Sequence, residues 1–396
     1  MALSEGFRLR FKKVRLDPLD SQAVSRTSYK TDHMKKLPPL STFAKIGCET
    51  NHNPKGGSQM YYTGIDLHRK TSFLTTVDSE GRVVKKGNLI NDEPTILEYF
   101  ISLDEDTQVV IESTATWYWL YDLLTAHAIP VVVSNPVKTK AIASARIKND
   151  KLDSHMLAQL LRADLLATVH VSSLQTRQLK ELLRHRHKLV RDCVRMKNRI
   201  HNIIAKNNLS VPVSDLFGKK GLVFLSQVQL PSYQRHQVDT YLGLYQQLKE
   251  HTVALTEQIK QAATRDSMAQ LLMTIPGVGP ITAMFIAAEI EDINRFKSYR
   301  HLASYAGLVP RLDASADKQR TGRITKQGSP YLRTALVEAA QATTRTKSRL
   351  NVFFRKRIVR SGYQKAIVAT AHKIIQYAYY ILRDQTPYRD SIDALA

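Results

Sequence analysis

Cysteine is almost missing from this chain: Cys48 and Cys193 are the only two in 396 residues. Two thiols make neither a disulfide framework nor a cysteine-rich zinc site, so a stapled secreted scaffold is excluded. Long apolar runs are missing too. No stretch could span a bilayer, no lipidation signal is present, and the opening MALSEGFRLRFKKVRL has no apolar signal core. The expected setting is therefore a reducing cytoplasm, with no membrane partner. Acid is the third shortage, with 35 Asp+Glu against 58 Lys+Arg and a net charge of +23. Such an excess favours a polyanionic partner, most simply nucleic acid, held through phosphate contacts and counterion release. What is present is ordinary globular material: 43% hydrophobic residues, and length enough for two or three domains.

Residues 1–58 are polar, basic and without periodicity, which predicts a disordered extension. From Tyr61 the character changes. YYTGIDLH, TSFLTTVD and RVVKKGNLI read as three strands, with DSEG as a turn. A helical EPTILEYFISL, the strand TQVVIEST, the helix WYWLYDLLTAH and the strand IPVVVS follow. PVKTKAIASARI and LDSHMLAQLLRADLL then read as helices. Adjacent strands giving way to alternating strands and helices predict an α/β domain with a mixed sheet over 59–170. Over 171–265 two apolar seams run at three- and four-residue steps. One passes through Leu179, Leu182, Leu189, Cys193, Met196, Ile200 and Ile203, the other through Val238, Tyr241, Tyr245, Leu248, Leu255, Ile259 and Ala262. They predict long coiled-coil-like helices, paired with each other, with another subunit, or with the protein's own core. Residues 266–396 read as an all-α region, so the chain as a whole is α/β plus all-α.

The residues NDKLDSHMLAQLLRA put two aspartates, Asp150 and Asp153, at the start of a helix. Helix capping accounts for one such pair. The i, i+3 spacing also sets both on one helix face. Asp66 ends the first strand and Glu112 the fourth, and strand ends are where open sheets build their ligand sites. Four convergent carboxylates repel unless cations neutralise them, and hard oxygen ligands select Mg²⁺ or Mn²⁺. Two such ions can activate a nucleophile and stabilise the leaving oxygen in phosphodiester cleavage. His68 is read as a hydrogen-bonded neighbour of Asp66, and Trp117, Tyr118 and Trp119 as mostly core.

GIDLH, VIEST and NDKLDSHMLAQLL resemble the three acidic blocks of the DEDD transposases of bacterial insertion sequences, the IS110 type, related to the Piv invertases. The resemblance covers roughly residues 61–390. It implies a RuvC-like, RNase H-type first domain with Asp66, Glu112, Asp150 and Asp153 as the metal-binding tetrad; Ser154 stands where the family usually has Ala. IPGVGPITA resembles a helix-hairpin-helix turn, in which Gly277 and Gly279 let the backbone approach a phosphate. With YAGLVPR and GRITKQGSPYLR it resembles the family's C-terminal transposase domain. That domain carries a nucleophilic serine in an S-G pair, and the matching position is Ser315, with Ala316 in place of the usual Gly.

The cations near Ser315, namely Arg320, Arg323, Lys326 and Arg333, suit phosphates and a pentacoordinate transition state. Arg184, Arg191, Arg195 and Arg199 are expected to meet phosphates along the basic helix of 173–207. The resemblance implies an enzyme that recombines double-stranded DNA in the bacterial cytoplasm, at the nucleoid. It also implies an element-encoded bridge RNA and a homo-oligomer, dimer or tetramer. Two rivals remain: a RuvC-like nuclease or junction resolvase that uses water, and a non-catalytic helix-hairpin-helix DNA-binding protein whose acids only cap helices.

Overall fold

The segment TGIDL alternates large apolar side chains with small or acidic ones, and the strand it forms serves two layers at once. The computed structural model describes residues 60–389 except 104–105, 143–149 and 316–317, with side chains for all of these but 150–151, 312–315 and 318–321. The extension expected at 1–58, like Ala316, lies outside the described residues. The chain divides into two compact units, one ending at Val171 and one beginning at Ser172.

In the first unit the strands are β1 (Tyr61–Leu67), β2 (Thr71–Val77), β3 (Val83–Ile90), β4 (Thr107–Glu112) and β5 (Val131–Ser134). The helices are α1 (Glu93–Ile101), α2 (Tyr118–Ala126), α3 (Pro136–Ile142) and α4 (Asp150–Arg162). The sheet order is β3-β2-β1-β4-β5. The hairpin-linked strands β1, β2 and β3 pair antiparallel, whereas β4 and β5 run parallel to β1 because helices carry the chain back between them. Ile65, Leu67, Val109 and Ile111 face one side, packed with Ile96, Tyr99, Phe100, Leu120 and Leu124 of α1 and α2. Val110 faces the other side, against Leu157 and Leu161 of α4. Each fully buried apolar side chain contributes roughly 1.5–3 kcal/mol, so both faces are firmly covered. Alternation then fixes the direction of the acids. Gly64, Asp66 and Glu112 share the α4 side with Val110.

The second unit starts with α5 (Leu174–Lys206), capped by the Ser173 hydroxyl accepting from the Thr176 N–H at 3.2 Å. Through α6 (Lys219–Gln227) the chain turns back into α7 (Ser232–Ala263). The two apolar seams meet within the chain: Met196, Ile200 and Ile203 pack with Val238 and Tyr245. Further along, Leu183 joins Ile259 and Ala263 in a larger core. That core is completed by α8 (Ser267–Met273), α9 (Pro280–Ile290), α10 (Tyr299–Tyr305), α11 (Pro330–Thr343), α12 (Arg349–Ser361) and α13 (Tyr363–Asp384). All residues of α9 from Ala283 to Ile290 are buried, as expected of a helix that is apolar all round. One element differs from the all-helical reading of 266–396: β6 (Pro310–Ser315) and β7 (Lys318–Ile324) form an antiparallel hairpin. PRLDAS and KQRTGRI offer no apolar face of helical period, so their backbone groups are satisfied across a ladder instead. Among the described residues, no helix is long and apolar enough to cross a membrane.

Candidate functional site

The acids of the first unit come together through backbone register. Ile65 of β1 lies beside Ile111 of β4 in parallel pairing, so Asp66 and Glu112 follow as neighbours at the ends of adjacent strands. The Asp66 side chain is 21% exposed, and the Nε2 of His68 stands 3.3 Å from its Oδ2.

The helix α4 crosses the same face, seated on a glycine. A Cβ on Gly64 would lie 2.1 Å from the Ser154 carbonyl oxygen and 2.6 Å from the Ala158 nitrogen, an approach that only glycine permits. The Ser154 hydroxyl pairs with Thr75 Oγ1 at 2.8 Å. At the far end Gln159 Nε2 donates to the Gly81 carbonyl at 2.7 Å, and Arg162 Nη1 to that of Ser79 at 3.2 Å. Residues 79–81 lie past the end of β2, opposite the strand end that carries Asp66. Therefore α4 runs antiparallel to β1, and its first turn, with Asp150 and Asp153, reaches toward Asp66. From the Gly64–Ser154 contact, Asp66 is two strand residues away, roughly 7 Å. Asp150 is four helix residues away in the same direction, roughly 6 Å.

Four carboxylate-bearing positions thus sit at one end of one face. As hard oxygen donors they suit Mg²⁺ or Mn²⁺. Among the described residues, no three His, Cys, Asp or Glu side chains are gathered closely enough to hold a metal ion, and the Asp150 side chain is not among those described. Reasoning from motifs alone missed Gly64 and Thr75, although a glycine inside a strand signals a close backbone approach.

In the second unit, Ser315 is the last residue of β6 and pairs in register with Lys318. Its side chain and that of Arg320 fall outside the described set. Arg323 and Lys326 are exposed. Arg333 turns inward: its Nη1 donates to the Ala306 carbonyl at 3.0 Å, closing the end of α10, and burial pushes its pKa down. Gly277 has φ +92°, and a Cβ there would meet Thr343 Oγ1 at 2.4 Å and the Ala339 carbonyl at 2.6 Å. Thr343 Oγ1 in turn donates to the Pro276 carbonyl at 2.7 Å, tying the turn to α11. Gly279 differs, because it precedes α9 with ordinary φ and nothing lies within 4 Å of its Cβ position. Pro280 opens α9 without an N–H and the Ala283 N–H is bonded to the Gly279 carbonyl at 2.8 Å, so the donors left for an anion at this helix start are those of Ile281 and Thr282.

The arginines of α5 divide. Arg184 is taken inside: its Nη2 lies 3.0 Å from Oε1 of Glu289, which is 4% exposed, and the guanidinium stacks on Tyr331 at 4.9 Å. Arg191, Arg195 and Arg199 are exposed, Arg195 bonding Asp192 at 2.5 Å and Arg199 lying over Tyr241 at 5.3 Å. Arg191 and Arg195 share a cleft of about 340 Å³ with Arg186, His187 and Ile281, the second residue of α9. Burial pushes the His187 imidazole down and Glu338 pulls it back up, while Arg191 and Arg186 push it down further. The cleft thus joins an arginine row to the open start of α9.

Comparison with known proteins first gives the class, transposases. The chain is similar to the transposase for insertion sequence element IS1111A of Coxiella burnetii, 25% identical over 341 residues, which span 82% of this chain and 90% of that protein. It is also similar to a probable family 20 transposase of Pseudomonas aeruginosa, 25% identical over 342 residues, 82% of this chain and 98% of that protein. The pilin gene-inverting protein of Moraxella bovis is 27% identical over 287 residues, 71% of this chain and 81% of that protein. Residues 63–207 match the DEDD transposases of the IS110 type, and residues 269–355 match the transposase IS116/IS110/IS902 family. With both of its parts present in order, the chain belongs to the IS110 family of insertion-sequence transposases.

Proposed function

We propose that this enzyme moves an insertion sequence by cutting and rejoining double-stranded DNA at specific sites, with the acids of the sheet unit and Ser315 as its reacting groups. One observation carries the reading: Asp66, Glu112 and the first turn of α4 converge at one end of one sheet face, although they come from three separate segments. This arrangement supports a RuvC-like, RNase H-type domain. Asp66, Glu112, Asp150 and Asp153 would hold Mg²⁺ or Mn²⁺, which when bound polarises oxygens at the reacting phosphate.

Ser315 supplies the nucleophile. Its hydroxyl gives up a proton, the oxygen bonds to phosphorus, and the strand's own P–O bond breaks to leave a free hydroxyl end. A hydroxyl end of the partner strand then attacks the phosphoserine, restores the DNA linkage and returns the serine. Arg320, Arg323 and Lys326 spread the negative charge of the transferring phosphoryl group. Gly277 shapes the turn and Gly279 leaves the start of α9 open to a DNA phosphate, with Arg191, Arg195 and Arg199 on neighbouring phosphates. The basic face of α5 also suits an element-encoded bridge RNA, and the assembly is a dimer or tetramer.

The test is a denaturing gel of labelled element-end DNA incubated with enzyme and Mg²⁺. Wild type should give a covalent protein–DNA adduct, and Ser315→Ala should give none while still binding DNA. Asp66→Ala should likewise bind without cutting. Cleavage without an adduct would make the protein a hydrolytic nuclease, and an adduct surviving in Ser315→Ala would remove the serine from its role.

A further inference from the structure

The strongest charge asymmetry in the molecule lies away from the hairpin and from α5. Between Glu338 and Asp384 the sequence holds ten Lys and Arg and no Asp or Glu. Five of the ten fall in α12, whose inner face is committed to the core through Leu350 and Phe354, 1% and 6% exposed. Its outer face presents Arg355, Lys356 and Arg360, all exposed, and none of the ion pairs among the described residues of this unit takes them in; Arg357, two turns from Leu350, flanks the inner face with its guanidinium over the Phe353 ring at 5.4 Å. Between these cations project Val352 and Val359, 52% and 86% exposed and two turns apart on one line of the helix. Among the described residues no large apolar side chain is more exposed than Val359. The segment matching the IS116/IS110/IS902 family stops at Arg355, inside this helix, so the outer face continues beyond it.

We propose that the outer face of α12 is a second duplex-DNA contact surface, separate from α5, with Arg355, Lys356 and Arg360 on backbone phosphates and Val359 directed at the groove floor. The helix has 13 residues and so runs roughly 20 Å, and a B-form major groove about 12 Å wide admits an α-helix. Cations flanking an apolar ridge match a groove whose rims are phosphate and whose floor carries thymine methyl groups. An A-form RNA duplex does not fit, since its major groove is too narrow for side chains to read. The inference rests on the reading of this chain as an enzyme acting on DNA, and it adds a place where that DNA is held.

The experiment replaces Arg355, Lys356 and Arg360 together with Gln and measures anisotropy of a labelled 25-base-pair DNA duplex between 50 and 200 mM salt. Each phosphate that no longer meets a cation should flatten the log–log salt slope by about 0.9, up to about 2.7 for all three. In parallel the Arg191/Arg195/Arg199→Gln variant should lose its own share, and far-UV circular dichroism should be unchanged in both. Should the threefold variant fail to fold, the single variants Arg355→Gln, Lys356→Gln and Arg360→Gln should each remove about a third of the effect. An unchanged slope in a folded α12 variant would overturn the inference and leave the proposed reaction standing. A wild type that binds no duplex would overturn both. Loss of binding to anionic lipid vesicles or to duplex RNA, with the DNA slope intact, would assign the face to that partner and overturn it as well.

Discussion

Replacing Gly64 with alanine tests how the site is held together, because the two structural consequences can be read apart. The added Cβ would lie 2.1 Å from the Ser154 carbonyl oxygen, 2.6 Å from the Ala158 nitrogen and 2.9 Å from Leu157 Cβ. Ordinary contact begins near 3.4 Å, so α4 must withdraw by about 1.3 Å. Backbone atoms on both sides cannot rotate away as a side chain would. The cost should therefore fall near the top of the overpacking range, about 3 kcal/mol. Both tryptophans of the chain, Trp117 and Trp119, lie in the sheet unit, so their fluorescence reports on that unit alone. With an ordinary urea dependence the midpoint should fall by about 1–2 M. A displacement of this size at a catalytic constellation costs about 100-fold in rate, so single-turnover cleavage should drop accordingly. A midpoint equal to wild type would refute the seat of α4 on β1. A lowered midpoint with full cleavage would leave the seat intact and remove Asp150 and Asp153 from the chemistry.

Gly277→Ala, with its positive φ and blocked Cβ, should destabilise the second unit by about 2–3 kcal/mol. Gly279→Ala, in open space, should cost less than about 1 kcal/mol yet weaken duplex binding; equal melting of the two variants by circular dichroism would contradict this. Tyr99 is 4% exposed, and burial pushes its phenol up to about 12. Its stabilising contribution is complete below pH 10, the unfolded value, and is lost as pH rises through about 12, so the urea midpoint of the sheet unit should fall across that window. The decline should be shallower in Tyr99→Phe, and identical profiles would contradict the assignment.

Much of the sheet unit is legible in the sequence because its strands follow simple patterns. TSFLTTV and TQVVIE are short segments rich in β-branched residues and bounded by turn residues, and the helices between β1, β4 and β5 force parallel pairing. The convergence of Asp66 and Glu112 is readable from strand order, whereas the seat of α4 is not, since it depends on one close approach to Gly64. The hairpin at 310–324 is harder to see. Its residues are polar, alternate weakly and lie between strongly helical neighbours. The seams of α5 and α7 predict pairing but not the partner, because a seam in itself does not distinguish a helix of the same chain from one of another.

The arginines show most clearly where one-dimensional reading stops. Arg184 and Arg191 lie seven residues apart on the same side of α5, with the same charge and similar neighbours in sequence. Arg184 nevertheless faces Glu289, a residue 105 positions away that is itself almost fully buried. A buried carboxylate without a cation is unstable, so the ion pair is obligatory once α9 packs against α5. Lys180, one turn earlier, is held in the same way: its ammonium donates to the Ser172 hydroxyl at 2.6 Å, burial pushes its pKa down, and Glu289 and Glu291 pull it back. The net charge of +23 therefore overstates what is offered to a polyanion. The start of α5 uses its cations to fasten α9 in place, and that fastening sets the exposed row from Arg191 onward beside the open turn at Gly279. Charge at one end of the helix builds the surface on which charge at the other end can act.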